Sequence, residues 1–539
     1  MANNLYPLVY KPGIKRDGTI FQADYCTAGE WVRFQRGNIR KMGGMKAFND
    51  PDVRNLTRVT NLTIVPSSGT DTNIIVYIAA ATGAIKRYYI SQDFEKSGVT
   101  VTAYTIPQNL NLLWKSQIVI QGDNQRIVFV GASSFLNIND NSVSTLLIGN
   151  LDGNNFNLAP FSIPPVNLKG VSGALFVNPY LFLYGSNGLL QWSDDRDVTR
   201  FAGGNSSTIN VNTDKIIDVK AIRGGVNSPT LLCWTLTSVV RLINVGNGAV
   251  LDFRRDVLSD SSSILSSRSV VEYDGVFFWP GTTRFFQYTG VVQKLSNTMN
   301  QNYFFNNLDL NNRQLVFGVK QTQYDEIWWF YPEKGQNPQN VKNTRAIIYN
   351  IVDNAWYDTP IERAAGVYSD AFGFMATYGD SLTTPNTPLT IYRHEFETFV
   401  NTGQRDLAIQ EAIPDGNQGA TRRVPITSTF TTPTISWAAF NPMKQLTGVD
   451  RWMSLIWIEP DFILAPDNSD MAVIVESREF AQNSPVLSNA VTIQDKTIVP
   501  FKGKTDLAIQ GKHLTLIFSS RTNFEMGHVL VLLGIGDGR

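Results

Sequence analysis

The sequence predicts an all-β protein with a β-propeller-like core and an additional C-terminal β-sandwich-like domain. Three observations lead there. Almost every apolar segment is short, rich in Val, Ile, Phe, Tyr and Trp, and closed by Gly, Asn, Asp or Pro, as strands are. Helical periodicity sustained over three turns is hard to find anywhere along the 539 residues. Between about Val59 and Phe396 a loose unit recurs, in which an apolar strand meets a polar turn and a second strand carrying an aromatic follows.

Individual elements follow the same rule. Asn73 to Ile78, Gln125 to Val130, Tyr180 to Tyr184, Val276 to Trp279 and Ile327 to Tyr331 read as strands. One full unit runs from Val276 through the turn Pro280 to Arg284, the strand Phe285 to Tyr288 and the turn Thr289-Gly290 to Val291–Leu295. Another is Arg345 to Tyr349, a turn at Asp353-Asn354, then Trp356-Tyr357. In a propeller each sheet offers its apolar face to the next, and closure leaves few open edges. Gly366 to Thr387 reads as an irregular loop. Gly, Gln, Asn, Asp and Pro replace the apolar pattern between about Asn401 and Arg423, which predicts a boundary. Beyond it Ser428 to Trp437, Trp452 to Ile458, Met471 to Glu476, Ala490 to Thr492 and His513 to Phe518 suit a small sandwich. The expected division is an N-terminal β-rich assembly segment 1–58, a propeller core 59–400, a linker 401–423 and a sandwich-like domain 424–539.

Composition bounds the function. Hydrophobic residues make up 43% and charged residues only 17%, so neutral Asn, Thr, Ser and Gly carry much of the polar surface, which suits permanent subunit contacts. Lys plus Arg (46) balance Asp plus Glu (46), leaving no global positive field to draw the chain onto nucleic acid. Sequence-specific DNA binding is not expected. Two cysteines, Cys26 and Cys233, make no disulfide framework and read as reduced, at least partly buried thiols. The opening Met1 to Tyr10 has no basic stretch leading into an apolar one, and no apolar run nears the roughly 20 residues that cross a bilayer. Neither a secretory signal nor membrane insertion is expected.

Catalytic patterns are scarce. His394, His513 and His528 are the three histidines, and none has a metal-binding spacing. No Gly-x-Ser-x-Gly elbow, Walker loop or strand-linked GxGxxG is present. Asp194, Asp195 and Asp197 in WSDDRDVTRF offer the clustered oxygens that calcium takes, but a turn neutralised by Arg196 and Arg200 is the better account. Propellers also host glycosidases, with carboxylates gathered from distant blades, yet no sialidase-type Asp-box occurs. From Lys11 to Lys46 eight basic residues (Lys11, Lys15, Arg16, Arg33, Arg36, Arg40, Lys41, Lys46) face three acidic ones (Asp17, Asp24, Glu30). Interleaved with Phe21, Tyr25, Trp31 and Phe34, these charges suit either a partner surface or the solvated face of two hairpins.

The string YKPGIKRDGTIFQADYCTAGEWVRFQRGNIRKMGGM, Tyr10 to Met45, resembles the opening of tail nozzle proteins of short-tailed double-stranded DNA phages, also called tail hub or packaged-DNA-stabilisation proteins. FFWPGTTRFFQYTGVVQKLSNTM (Phe277 to Met299), LVFGVKQTQYDEIWWFYP (Leu315 to Pro332) and RAIIYNIVDNAWY (Arg345 to Tyr357) are similar to later segments of that family, in its order. WSDDRDVTRF and the ending LGIGDGR resemble a loop and the terminal strand and tail of the same proteins. The resemblance implies a non-enzymatic virion protein, made in the host cytoplasm and built into the tail without a cofactor. It implies a ring of identical subunits, expected to number six, below the portal and its adaptor protein, surrounding the DNA exit channel. Such a ring retains the packaged genome, anchors tail fibres or spikes, and lets genomic DNA pass without sequence-specific binding. A propeller-based, virion-associated carbohydrate-binding or depolymerase protein is the alternative.

Residue roles follow. Trp328, Trp329 and Trp356 are assigned to the cores of the sheets. Arg33, Arg36, Arg40 and Lys41 are assigned to contact with a neighbouring subunit or tail component.

Overall fold

The computed structural model describes residues 3–19, 24–48, 53, 56, 58–65, 74–122, 124–133, 144–151, 158–161, 170–222, 229–246, 250–336, 342–370, 372–379, 390–396, 410–414, 421–437, 451–464, 470–494 and 505–535. It is an all-β protein of many four-stranded antiparallel sheets. Six of them follow one another along the chain, over 59–105, 113–160, 171–210, 216–259, 271–295 and 317–363, and each is a simple meander of sequential strands. Short connections make this possible. Asp274 (φ 47°) and Gly275 (φ 79°) both take the left-handed conformation that a two-residue hairpin between Val271–Tyr273 and Val276–Pro280 demands.

A seventh sheet is assembled from both ends of the chain. Ala365–Ser369, Phe374–Gly379 and Thr390–Phe396 supply three strands, and the fourth is Gly44–Ala47, antiparallel with Tyr392 opposite Ala47 and His394 opposite Met45. Gln410–Pro414 then lies parallel to Gly44–Ala47 and pairs with Thr421–Pro425.

Each sheet packs its apolar face on the next. Tyr77 and Ile85 of the first meet Trp114 and Phe129 of the second, and Val128 and Val130 meet Leu181 and Leu183 of the third. Phe182 and Trp192 meet Leu231 and Cys233 of the fourth, whose Trp234 meets Phe277 and Trp279 of the fifth. Phe278 and Phe285 pack on Trp329 and Trp356 of the sixth, and Phe330 of the sixth shares a core with Met375 and Tyr392 of the seventh. The seventh sheet's Phe374 and Tyr378 pack on Ile64, Val76 and Ile78 of the first. The succession therefore returns to its start, an arrangement consistent with propeller blades.

Two further sheets pack together on a core that is continuous with that of the sixth and seventh sheets. One holds Thr505–Gly511, Met453–Leu464, Phe524–Ile535, Asn38–Lys41 and Val32–Gln35, with Asn3–Leu8 also paired to Phe524–Ile535. The other is built around Ala28–Glu30, Ser428–Thr431, His513–Ser520 and Asp470–Arg478. Between them lie Phe430, Met453, Leu455, Val473, Leu516, Phe518 and Val531.

Three expectations change. Residues 1–58 do not form a segment by themselves: Lys11–Ile14 and Tyr25–Cys26 pair with each other, but the other strands of the stretch complete the two C-terminal sheets and, through Gly44–Ala47, the seventh sheet, each of which would otherwise expose an unpaired edge. Part of the expected loop Gly366 to Thr387 is strand, since Ala365–Ser369 and Phe374–Gly379 hydrogen-bond to each other; 380–387 lie outside the described residues. Within the expected linker, Gln410–Pro414 and Thr421–Pro425 extend the seventh sheet, while 401–409 and 415–420 lie outside the described residues.

Candidate functional site

The basic N-terminal region is the candidate site, and its four nominated cations have different fates. Arg33 lies on Val32–Gln35, where Val32, Arg33 and Phe34 are all buried and Phe34 packs on Tyr357 of the sixth sheet. Its Nε donates to Glu326 Oε1 at 2.9 Å, and Nη2 donates to Glu326 Oε2 at 3.2 Å and to Glu395 Oε1 at 2.5 Å. The guanidinium also lies over the Tyr324 ring, 3.5 Å from its centroid. Trp328 Nε1 (2.8 Å) and the Tyr357 hydroxyl (2.6 Å) donate to Glu326 as well. Burial opposes the Arg33 charge, but Glu326 and Glu395 override it and hold the guanidinium well above its ordinary pKa. Burial pushes the Glu326 carboxyl upward against the pull of Arg33. With a permanently charged Arg33 and four donated hydrogen bonds, the carboxylate form of Glu326 is the one that this site accommodates.

Glu395 takes a left-handed backbone (φ 57°) and accepts a hydrogen bond from the Gly43 N–H at 3.0 Å. A Cβ at Gly43 would lie 2.1 Å from Glu395 Oε2, so only glycine admits this approach.

Arg33 is thus not a partner contact: it is buried within the chain, and its charge is consumed there. Lys41 is corrected for the same reason. It is 6% exposed and donates to the carbonyls of Ile426 and Arg521, and burial lowers its pKa to about 7. Arg40 is half-buried and pairs with Glu525 at 2.5 Å while donating to Gln35 Oε1. Arg36 alone among the four is exposed, at the tip of the Val32–Gln35 to Asn38–Lys41 hairpin, where Arg36 (φ 54°) and Gly37 (φ 83°) make the turn.

A second junction ties the same segment down. Arg16 Nε and Arg345 Nε donate to the two oxygens of buried Asp358, at 2.6 and 2.7 Å. The Asp17 carboxylate accepts from the N–H groups of Asn302 and Tyr303, at the start of the helix Gln301–Asn307. Glu326, Glu395 and Asp358 escape sequence reasoning because the N-terminal arginines that pair with them, Arg33 and Arg16, lie 293 to 362 positions away. The one local signal is a carboxylate opening an aromatic strand, as in Glu326-Ile327-Trp328-Trp329.

The other nominated residues are placed as follows. Trp328, Trp329 and Trp356 are buried, and the Trp329 and Trp356 rings stack with centroids 6.0 Å apart. Asp194 pairs with Arg200, and Asp197 accepts from the N–H and hydroxyl of Thr199. Among the described residues no group of three His, Cys, Asp or Glu side chains is arranged to hold a metal. His394 is buried beside the junction, its Nε2 2.7 Å from Thr377 Oγ1; burial, then Arg363 and Arg33, holds its pKa well below 6.5. Cys26 and Cys233 are free, buried thiols.

Where the seven sheets meet lies a cavity of about 280 Å³, lined by residues of the first strand of the first, second, third, fourth, sixth and seventh sheets, by Tyr184 of the third sheet's second strand and by the segment entering the fifth. Lys115, Asp218, Lys220 and Arg268 face it.

No protein-family model matches this chain, and no curated protein does. Among solved structures it is similar to the computationally designed Ika8 protein, at 10% identity and a TM-score of 0.35, over 65% of this chain and 99% of that one. A superposition that loose does not bear on function.

Proposed function

We propose that this chain is a structural subunit of a phage tail nozzle, with seven of its sheets as the blades of a propeller and the two large C-terminal sheets as a sandwich. Copies join in a ring below the portal and adaptor, enclose the DNA exit path, and carry fibres or spikes. The role is mechanical.

One observation carries the reading. The four stretches that are similar to tail nozzle proteins, far apart in sequence, pack into one block. Arg33 of the first joins Glu326 of the third, Arg16 of the first joins Asp358 just past the fourth, and Phe285 of the second lies 4.6 Å from the Trp356 ring of the fourth. Residues that share a junction lose function together, so a pattern spread over such a block specifies one architecture rather than separate local motifs.

The geometry also bears on the route of DNA. A central cavity of about 280 Å³ is of small-molecule size. The channel of the proposed assembly lies between copies, which requires head-to-tail contacts that close on themselves.

Mass spectrometry of purified virions, followed by imaging of the tail, tests the proposal. A ring of this chain beneath the portal is the expected result. Absence from particles, or turnover of host polysaccharide by the purified protein, overturns it.

A further inference from the structure

Two exposed apolar patches stand on different layers of the C-terminal sheets. The first is a sheet face. Along Asn3–Leu8 and Phe524–Ile535, Tyr6, Leu8, Val529, Val531 and Leu533 turn into the core between the two sheets, so the residues that alternate with them turn away from it. Leu5 lies opposite Leu532 and Leu532 opposite Trp457, an apolar row three strands wide, with Pro7 and Leu530 paired in the next row. Leu5 is 52% exposed, and Val9, just past the strand, is 55% exposed.

The second patch is a prong on the other sheet. Val486–Leu487 is an edge strand paired with Asp470–Arg478 on one side. Consecutive strand residues point to opposite faces, yet Val486 and Leu487 are 69% and 58% exposed, so neither face of this edge is covered. The loop before it presents Phe480, more than half exposed, and is braced from within. Arg478 Nη1 donates to the carbonyls of Ala481 and Asn483, and Lys512 Nζ lies 4.7 Å from the Phe480 ring centroid. An open, apolar, well-held edge is a template for another chain.

We propose that the prong of one copy, Phe480, Val486 and Leu487, seats on the Leu5–Leu532–Trp457 face of the next copy, an inference that rests on the ring of the tail reading. The face points away from the sheet that carries the prong, so one copy does not satisfy both. A projection on one layer and a flat face on the other make the contact head-to-tail, as closure into a ring requires. Charge agrees. Among the described residues Lys512 beside the prong is in no ion pair, and neither are Asp506, opposite Trp457, and Asp461, at the bulge between Pro460 and Phe462. Lys512 therefore brings an uncommitted cation to a face flanked by two uncommitted carboxylates.

Sedimentation velocity of the full purified chain is the test. Wild type should associate as its concentration rises. Phe480→Asp and, separately, Leu5→Asp should each weaken association at least about tenfold, and Leu487→Asp should repeat the Phe480→Asp result. Val99→Asp, at a 77% exposed position of the first sheet's connection, should associate as wild type does. Mixed together, Phe480→Asp and Leu5→Asp should form one-to-one dimers and nothing larger, since each keeps the surface that the other has lost. A wild type that stays monomeric, variants that associate like wild type, or a mixture without dimers each overturns the contact. Virions separate this contact from the tail reading. A ring beneath the portal that takes up Phe480→Asp normally overturns the contact alone, whereas association in solution with absence from virions overturns the tail reading alone.

Discussion

Arg33 and Glu326, 293 positions apart, meet as a two-point ion pair with both side chains buried, one from a strand of the C-terminal sheets and the other from the sixth of the seven. The pair joins the two halves of the molecule. Its geometry is the planar fork on a carboxylate for which arginine is suited and lysine is not.

Arg33→Ala should therefore cost about 3–5 kcal/mol, because it leaves Glu326 and Glu395 buried with no counter-charge. Chemical denaturation measures this. A midpoint equal to wild type would mean that the carboxylates are already neutral.

Gly43→Ala should destabilise by about 1–3 kcal/mol through overpacking alone, since the added methyl meets both the carboxylate and the Cα of Glu395. The same substitution at Gly37, whose Cβ position is open, should cost less despite its positive φ. Comparing the two melting midpoints separates collision from backbone preference.

Trp356→Ala should cost about 3–5 kcal/mol. The ring lies between Phe285, Trp329 and Tyr349, and its Nε1 donates to the Ser296 carbonyl at 3.0 Å. Unchanged thermal stability would remove it from the core of the fifth and sixth sheets.

Lys41 should make stability depend on pH. Its folded pKa of about 7 lies below the unfolded value of about 10.4. Between these values the unfolded chain binds the extra proton, so stability rises with pH across that window, by up to about 1.4 kcal/mol per unit, and falls as pH drops toward 7. Lys41→Met should flatten that slope in denaturation curves taken from pH 7 to 10, and an identical slope would assign it to another group.

Arg36→Glu should leave the isolated chain within about 0.5 kcal/mol of wild type, as an exposed turn residue does. Incorporation into particles should fall. Unaltered incorporation would remove the hairpin tip from the assembly surface.

Strand content was legible in the sequence because it is written locally. A run such as Ile327 to Tyr331 is too short and too apolar for a surface helix, and the observed strand, Glu326–Tyr331, differs by one residue. The turn at Asp353-Asn354 and the burial of Trp328, Trp329 and Trp356 follow from the same short-range chemistry. The basic N-terminal region was legible as a concentration of charge, but not its use. Sequence reasoning treats eight cations as surface until a partner is known, and the partners of Arg16, Arg33 and Arg40 lie between 293 and 485 positions away in three of their contacts.

By itself, then, the sequence determined that the chain is predominantly β, where strands such as Val276–Pro280 and Glu326–Tyr331 fall, and that Trp328, Trp329 and Trp356 lie in sheet cores, since alternation and turn chemistry act between neighbours. Only the tertiary structure decided that Gly44–Ala47 completes the seventh sheet, that Arg33 and Lys41 are spent inside the chain, and that Lys115, Lys220 and Arg268 face one cavity. Those outcomes depend on which edges and which charges meet after the chain has closed on itself. No local pattern records them, because an unpaired edge or a buried charge is satisfied by whatever distant group the closed fold brings to it.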